Sequence, residues 1–256
     1  MKSSIVRIAV GLAALLIACT GTASAGEMKA LITIGMQSVI EELGPKFEKA
    51  SGHKLNMTFG IGPVLAKRVQ DGEAADFLIL PRAGVDGLIA SGKVASGSGT
   101  VLARNFVAIA VRKGEPKPDI STPDALRRTL LAIKAISYSN PADGGPTGIH
   151  FAKVLERLGI AEDMKAKAKF PPAGGFVGKL LVSGEVDIAV QQLSELMSVS
   201  GTEVVGPLPG DLQSVTVYMT AIPISSKEPD AAKALVSFLR SPEALAVMKA
   251  KGVEPD

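Results

Sequence analysis

Three turns in the sequence each stand directly before a segment with helical periodicity. They are Gly35-Met36-Gln37, Gly60-Ile61-Gly62-Pro63 and Thr147-Gly148. The first N–H groups of a helix have no partner within the helix and carry a partial positive charge, so such a turn is suited to binding an anion. Glycine also precedes helices for reasons of turn geometry alone. The three turns taken together favour a site for a small anion.

Side chains beside these turns are further candidates for ligand contacts. Arg82 directly follows the predicted strand 77–80, and the carboxyl ends of strands are where α/β sheets bind ligands. An arginine can meet a carboxylate with two parallel hydrogen bonds, although a solvated surface arginine is the alternative. Arg104 is a second candidate cation that could instead pair with an acidic residue. Gln192 offers one donor and one acceptor to a bound acid.

The elements that must position these residues alternate along the chain. The predicted strands are residues 30–35, 54–59, 77–80, 104–114, 133–138, 186–191 and 214–224, with a short run near 167–170. The predicted helices are residues 36–47, 63–71, 84–91, 147–158, 174–183, 229–240 and 242–251, and another begins near residue 121. This alternation predicts an α/β fold with mainly parallel sheets covered on both faces. Two lobes joined by the extended runs near 104–112 and 205–218 would enclose a cleft.

Residues 1–25 have the pattern of a secretory signal peptide. Lys2 and Arg7 precede an apolar stretch, residues 8–18, that is too short to span a membrane. A cleavage site of the A-x-A type follows at residues 23–25. The alternative is a lipobox ending at Cys19, in which a lipid on the cysteine would anchor the protein. We therefore predict a periplasmic protein that is released by cleavage after residue 25.

Composition argues against several classes of function. Cys19 is the only cysteine, and His53 and His150 are far apart in the sequence, so we predict no disulfide, no metal site and no cofactor. Loss of the signal peptide removes Lys2 and Arg7 but no acidic residue, so the formal net charge falls from +3 to +1. That charge gives no electrostatic footprint for nucleic acid.

Five segments of the sequence, taken in order, resemble one family. They are "FEKASGHKLNMTFGIGPVLAKRVQDGEAADFLIL", "LARNFVAIAVRKG", "SNPADGGPTGIHFAKVLERLGI", "GEVDIAVQQLSEL" and "AAKALVSFLRSPEALAVMKAKG". The resemblance is to the molybdate-type extracellular solute-binding proteins of ABC importers, from about Ala30 to Gly252. It implies a type II periplasmic-binding fold, with one lobe formed by residues 26–107 and 217–256 and the other by 108–216. It also implies a ligand held between the lobes and an inner-membrane permease as partner.

The sequence departs from the molybdate binders at the expected ligand turns. Two serines that grip the oxyanion in the family are replaced by Gly35 and Gly62, and the family's tyrosine after the G-E-x-D strand is replaced by Gln192. We expect the glycines to enlarge the pocket, and Met36 and Ile61 to add apolar wall. An oxyanion would lose hydrogen bonds worth roughly 1.5–3 kcal/mol each. A carboxylate with a carbon skeleton fits such a pocket better.

The motifs of common enzymes are absent from the sequence. There is no G-x-S-x-G elbow, and the glycine-rich "AGGFVGKL" departs from the phosphate-loop pattern at both ends. We therefore predict that the protein is not an enzyme but a monomeric receptor for a small anion, an organic carboxylate, with molybdate or tungstate as the alternative. The alternative of another class is a periplasmic dehydratase-like enzyme, with Asp143 and His150 as candidate proton donors.

Overall fold

The computed structural model describes residues 26–256. The predicted signal peptide and the alternative lipidation site at Cys19 lie outside the described residues. Within residues 26–256, no helix combines the length and the apolar character that crossing a membrane would require.

Strands and helices alternate over most of the described chain. The strands are β1 (Glu27–Thr33), β2 (Lys54–Gly60), β3 (Phe77–Pro81), β4 (Thr100–Arg112), β5 (Ile136–Tyr138), β6 (Ala168–Lys169), β7 (Ile188–Gln192), β8 (Thr202–Pro207), β9 (Val215–Ala221) and β10 (Glu254–Pro255). The helices are α1 (Gln37–Ser51), α2 (Gly62–Gln70), α3 (Arg82–Ala90), α4 (Pro123–Ala132), α5 (Pro146–Arg157), α6 (Ala161–Lys165), α7 (Gly178–Val182), α8 (Leu193–Met197), α9 (Pro229–Phe238) and α10 (Pro242–Ala250). Single 3₁₀ turns span Ile34–Met36, Pro141–Asp143 and Gly210–Leu212. The predicted α/β class is confirmed.

The long strand β4 joins two sheets. The strand order is β2-β1-β3-β9-β4-β7-β5-β6, and β8 and β10 also pair with β4. Residues Thr100–Phe106 of β4 pair with β9, whereas Val107–Ala110 pair with β7. We call β2, β1, β3, β9, β10 and the first half of β4 the first sheet, and the remaining strands with the second half of β4 the second sheet. The predicted lobe boundaries, 26–107 with 217–256 and 108–216, stay a prediction.

Helices cover both faces of each sheet and bury its apolar side chains. In the first sheet, α1, α9 and α10 pack on one face, and α2 and α3 pack on the other. In the second sheet, α4, α5 and α6 pack on one face, and α7 and α8 pack on the other. Pairing is parallel around β1 and β5 but antiparallel where β9 meets β3 and β4. The carboxyl ends of β1 and β3 in the first sheet and of β5 and β7 in the second border the same space.

The structure differs from the sequence prediction in several short elements. The helix predicted over 174–183 begins only at Gly178, because Gly174 has a positive φ of 74° and the Gly175 N–H donates to the Pro172 carbonyl at 2.7 Å. A turn thus occupies the start of the predicted helix. The short helices α6 and α8 and the strand β10 were not predicted. Of these, α8 matters most, because it follows β7 without a loop.

An ion-pair group ties α2 to the first sheet. Glu73 accepts from Arg68 Nε at 2.5 Å and from Lys29 Nζ of β1 at 2.8 Å. Hydrogen bonds first from Arg68 and then from Lys29 lower the pKa of Glu73 from 4.5 to about 2. Because the folded state has the lower pKa, the stability from Glu73 is present above 4.5 and is lost as the pH falls towards 2.

We predict that Glu73→Gln lowers the free energy of unfolding by about 1 kcal/mol at neutral pH, since all three side chains are partly exposed. Urea unfolding at neutral pH and at about pH 3 measures this, and the difference from wild type should shrink at the lower pH. Asp71→Asn is the matched control, because its pair with Lys67 is exposed. Equal losses in the two variants would contradict the prediction.

Candidate functional site

A cavity lies between the first and second sheets, next to the carboxyl ends of β1, β3, β5 and β7. The first sheet and its connections contribute Thr33, Ile34, Ile61, Gly62 and Pro81. The second contributes Ser139, Asn140, Asp143, Gly145, Pro146, Thr147, Pro171, Pro172, Gly174, Gly175, Gln191, Gln192 and Glu195. Strand carboxyl ends are where α/β sheets bind ligands. We take this cavity as the candidate functional site.

Two helix N-termini border the cavity from opposite sides. Helix α2 begins at Gly62 and helix α5 at Pro146, and their N-cap residues, Ile61 and Gly145, supply no side-chain cap. The first N–H groups of each helix, such as those of Gly62 and Thr147, have no intrahelical partner. They can donate to an anion in the cavity, where the two helix dipoles also favour negative charge.

Four of the predicted ligand residues line the cavity: Ile61, Gly62, Thr147 and Gln192. The others lie elsewhere. Met36 is fully buried in the core beneath α1, so it does not form the expected apolar wall of the pocket. The Gln37 side chain donates to Glu41 at 2.7 Å, and Pro63 lies in a surface groove between α2 and α3.

The structure does not bring the two predicted arginines to the cavity. Arg82 is exposed at the start of α3, and Arg104 forms an ion pair with Asp256 at 2.7 Å. Among the described residues that line the cavity there is no lysine, arginine or histidine. Across residues 26–256 there is also no group of three or more side chains placed to hold a metal ion. An anion in this site would therefore be bound by N–H and hydroxyl donors.

The expectation that Gly35 and Gly62 enlarge the pocket is wrong, because neighbouring side chains fill the space. A Cβ atom at Gly35 would collide with the Tyr218 hydroxyl and with Gln192 Oε1. A Cβ atom at Gly62 would lie 2.5 Å from Pro81 Cδ. Tyr218, which comes from β9, thus places a hydroxyl where a side chain of residue 35 would stand.

Close packing also explains why residue 148 is a glycine. A Cβ atom there would collide with the carbonyl oxygen of Ser139, which follows β5. The absence of a side chain lets α5 approach this backbone closely. The close approach places the N-terminus of α5 beside the cavity.

Gln192 is committed to contacts within the protein. Its Oε1 accepts from the Tyr218 hydroxyl, and its Nε2 donates to Thr216 Oγ1 at 3.1 Å. One amide N–H therefore remains for a ligand, rather than the donor and acceptor pair that the sequence suggested. Gln191 accepts from the Val177 N–H at 3.0 Å and donates to the Gly175 carbonyl at 3.1 Å, so it fixes the loop on the far wall.

Glu195 is the ionisable residue that the sequence analysis missed. It lies in α8, only 9% of its surface is exposed, and it lines the cavity. Burial raises the pKa of Glu195 to about 8, so the acid form predominates at neutral pH. Burial and the charge of Glu195 raise the pKa of Tyr218 well above its usual value. The signal in the sequence was an acidic residue three positions after a strand end, in "VQQLSEL".

The two proton donors considered for the enzyme alternative have different surroundings. Asp143 lines the cavity from the 3₁₀ turn before α5. His150 does not line it, and its Nε2 is 2.8 Å from the carbonyl oxygen of Leu212. The cavity thus presents two carboxyl groups, those of Glu195 and Asp143.

Two helix-covered sheets with a cavity between them define the class of the protein. The sequence model described as bacterial extracellular solute-binding protein matches residues 29–254. The chain belongs to this family. Capture of a small anion, delivery to an ABC transporter permease and a periplasmic location are what the family implies.

Individual relatives carry two different functions. The chain is 36% identical over 253 residues to an aconitate isomerase of a Pseudomonas species, covering 95% of each chain. It is 27% identical over 259 residues to the molybdate-binding protein ModA of Azotobacter vinelandii, covering 98% of each. The solved periplasmic molybdate-binding protein of A. vinelandii matches 88% of this chain and 98% of its own with a TM-score of 0.72 at 20% identity.

These comparisons confirm the resemblance to the molybdate-type family and its type II periplasmic-binding fold. They overturn one prediction. The prediction that the protein is not an enzyme is wrong, because a relative of 36% identity over 95% of both chains is named as an isomerase. The missing hydrolase and phosphate-loop motifs could not exclude an enzyme that only transfers a proton.

We predict that Gly35→Ala lowers the free energy of unfolding by about 1–3 kcal/mol, because the new methyl group must displace Tyr218 or Gln192. Gly87→Ala is the matched control: it lies in α3 with nothing within 4 Å of the new Cβ, and we expect it to stabilise by about 0.4–1 kcal/mol. Urea unfolding of both variants measures the difference. A neutral or stabilising effect at position 35 would show that Tyr218 does not fill this space.

Proposed function

We propose that this protein is an isomerase that acts on aconitate, or on a closely related unsaturated tricarboxylic acid, in the cavity between its two sheets. The observation that carries the proposal is the 36% identity to an aconitate isomerase over 95% of both chains. A carboxyl group buried in the cavity, that of Glu195, is the kind of group that such a reaction needs.

Isomerisation of aconitate requires the protein to transfer a proton and needs no other reactant. Aconitate is a propene that carries three carboxylates, with one methylene carbon and one vinylic C–H. Its cis and trans forms interconvert when a proton leaves the methylene carbon and a proton is added to the vinylic carbon, which moves the double bond. A positioned acid–base group suffices for this. The two carboxyl groups of the cavity, Glu195 and Asp143, are its candidates.

Backbone and hydroxyl donors would hold the carboxylates of the substrate. The N-termini of α2 and α5 face the cavity from opposite sides, and Thr33, Ser139 and Thr147 add hydroxyl groups to its wall. Hydrogen bonds to charged acceptors are stronger than those between neutral groups. A substrate held from both sides would favour the closed arrangement of the sheets, because only that arrangement makes all the contacts.

The size of the cavity determines whether a substrate can enter it without movement of the sheets. Its volume is about 60 Å³, room for roughly four water molecules. A six-carbon acid is larger, so the two sheets must move apart to admit it. Ile61 lies between them, since side chains at Gly145 or Gly174 of the second sheet would come within 3.9 Å of it. Closure on the substrate would leave little room for water.

The second candidate function is that of a receptor for molybdate or tungstate in an ABC importer. Two observations favour it: the identity to the Azotobacter molybdate-binding protein over 98% of both chains, and the small cavity, which suits a compact oxyanion. A receptor would deliver its ligand to an inner-membrane permease, and we expect it to act as a monomer. The buried acid would then have no chemical role.

We predict that the purified protein converts trans-aconitate to cis-aconitate, and reaches the same ratio of isomers from either side. Proton NMR of the reaction follows both isomers in one sample. The saturated analogue tricarballylate has no double bond, so it should inhibit the reaction without being changed. Absence of any conversion would refute the proposed activity.

Binding separates the two candidates independently of turnover. We predict that tricarballylate raises the unfolding temperature and that molybdate and tungstate do not, since ligand at about 100 times its Kd adds roughly 2.7 kcal/mol of stability. Differential scanning calorimetry with each ligand measures this, and sulfate serves as the control oxyanion. A shift with molybdate or tungstate alone would favour the receptor.

A further inference from the structure

We infer that Glu195 is the catalytic base and acid of this site, the group that carries the proton from one carbon of the substrate to the other. The inference rests on the isomerase activity proposed above. It adds the residue that does the chemistry and the way in which the proton moves.

The position of Glu195 suits that role. It lies in the first turn of α8, just beyond the carboxyl end of β7, and it lines the cavity while nine-tenths of its surface is buried. Within residues 26–256, no hydrogen bond is formed by its carboxyl group, whereas its backbone carbonyl accepts from the Ser198 hydroxyl. The carboxyl group lines the cavity, and its removal from bulk water is the cause of its raised pKa. A substrate in the cavity would supply the missing contact.

The polar side chains next to Glu195 in the sequence already have hydrogen-bond partners elsewhere in the protein. The Ser194 hydroxyl donates to the Gly35 carbonyl at 2.7 Å, and Gln192 is held by Tyr218 and Thr216. Neither neighbour competes for the Glu195 carboxyl. The Glu195 carboxyl group is therefore not engaged by these neighbours and can contact a bound substrate.

The proton transfer balances without any further reactant. The Glu195 carboxylate takes a proton from the methylene carbon, and the electrons of that C–H bond form a double bond to the central carbon. The electrons of the original double bond move to the former vinylic carbon and its carboxylate. The protonated Glu195 then gives the proton to that carbon. One C–H bond breaks, one forms, and Glu195 returns to its ionised state.

Burial changes the proton affinity of the Glu195 carboxyl group in the direction that favours proton abstraction. Burial raises the pKa of Glu195 to about 8, so its ionised form is a stronger base than an exposed glutamate. The pKa of Tyr218, which faces it from β9, is raised well above its usual value, so that hydroxyl stays neutral. Asp143 is the other acidic residue that lines the cavity. We expect kcat/KM to rise with pH up to about 8, as Glu195 loses its proton.

The raised pKa of Glu195 is not caused by a charged residue on the elements that pack against α8. These elements are β4, β7, β8 and the turn Ile34–Met36. Their charged residues are Arg104, Arg112 and Glu203, and each forms an ion pair with a residue other than Glu195. The desolvation of the carboxyl group is the cause of its raised pKa.

The test compares three conservative variants with the wild type. Glu195→Gln keeps the shape of the side chain but cannot transfer a proton, so we expect kcat to fall by about 100-fold or more. Asp143→Asn removes the other carboxyl group of the cavity, and we expect its loss of kcat to be at least about tenfold smaller than that of Glu195→Gln; an equal or larger loss would overturn the assignment of Glu195. Glu162→Gln is the control, because Glu162 is exposed on α6 and pairs only with Lys165. Exchange of the methylene hydrogen in D₂O should disappear with Glu195→Gln alone.

The readouts separate catalysis from folding and from the proposed function. Calorimetric binding of tricarballylate shows whether Glu195→Gln folds and still binds, and Glu195→Asp should recover part of the activity with a shifted pH profile. If the wild type is active and Glu195→Gln keeps its rate within about tenfold, this inference is overturned while the isomerase remains. If the wild type neither isomerises nor exchanges, the proposed function itself fails.

Discussion

The hydrogen bond from the Ser194 hydroxyl to the Gly35 carbonyl oxygen joins helix α8 of the second sheet to the segment that follows β1 in the first. Asn105, on β4 where that strand passes between the sheets, donates to the same Ser194 oxygen at 2.6 Å. Ser194 and Asn105 are almost completely buried, so a group left without its partner there would cost about 1–3 kcal/mol. The two sheets are held together directly behind the cavity, and the residue after Ser194 is Glu195.

This arrangement explains why Gly35 departs from the serine of the molybdate binders. The Tyr218 hydroxyl, bonded to Gln192, occupies the space that a side chain at position 35 would need. A tyrosine on β9 and a glutamine on β7 thus form a contact between strands of different sheets. The Tyr218–Gln192 hydrogen bond is a buried polar link where the two sheets meet.

The sequence predicted the fold better than the site. Period-two and helical patterns identified most long elements, because each buries one apolar face, and helix N-termini at Gly62 and Thr147 were found from turn residues. Arg82 and Arg104 were wrongly expected in the cavity, because a strand end alone does not fix the direction of a side chain. Whether Arg104 turns to the cavity or to Asp256 depends on where the C-terminal strand β10 lies.

Glu195 was missed because its helix has only five residues, too few for any periodicity to show. The depth at which a residue is buried depends on what packs over it, and here that is the opposite sheet, distant in the sequence. The pairing of Tyr218 with Gln192 spans 26 residues and two sheets. Contacts of this kind arise only when both sheets are assembled.

A receptor and an isomerase must both bind an anion in this cleft. The described residues that line it include no lysine, arginine or histidine. An ionised glutamate in that wall would repel the ligand, and a pKa of about 8 avoids this because the group is neutral when an anion arrives at neutral pH. For a receptor, burial of this carboxyl group lowers stability and does not help to bind the ligand. An apolar residue would fill the same space without the loss of hydration of a polar group. For an isomerase, the same group in its ionised form is the base that takes a proton from one carbon of the substrate and returns it to another, so the buried carboxyl group has a chemical role.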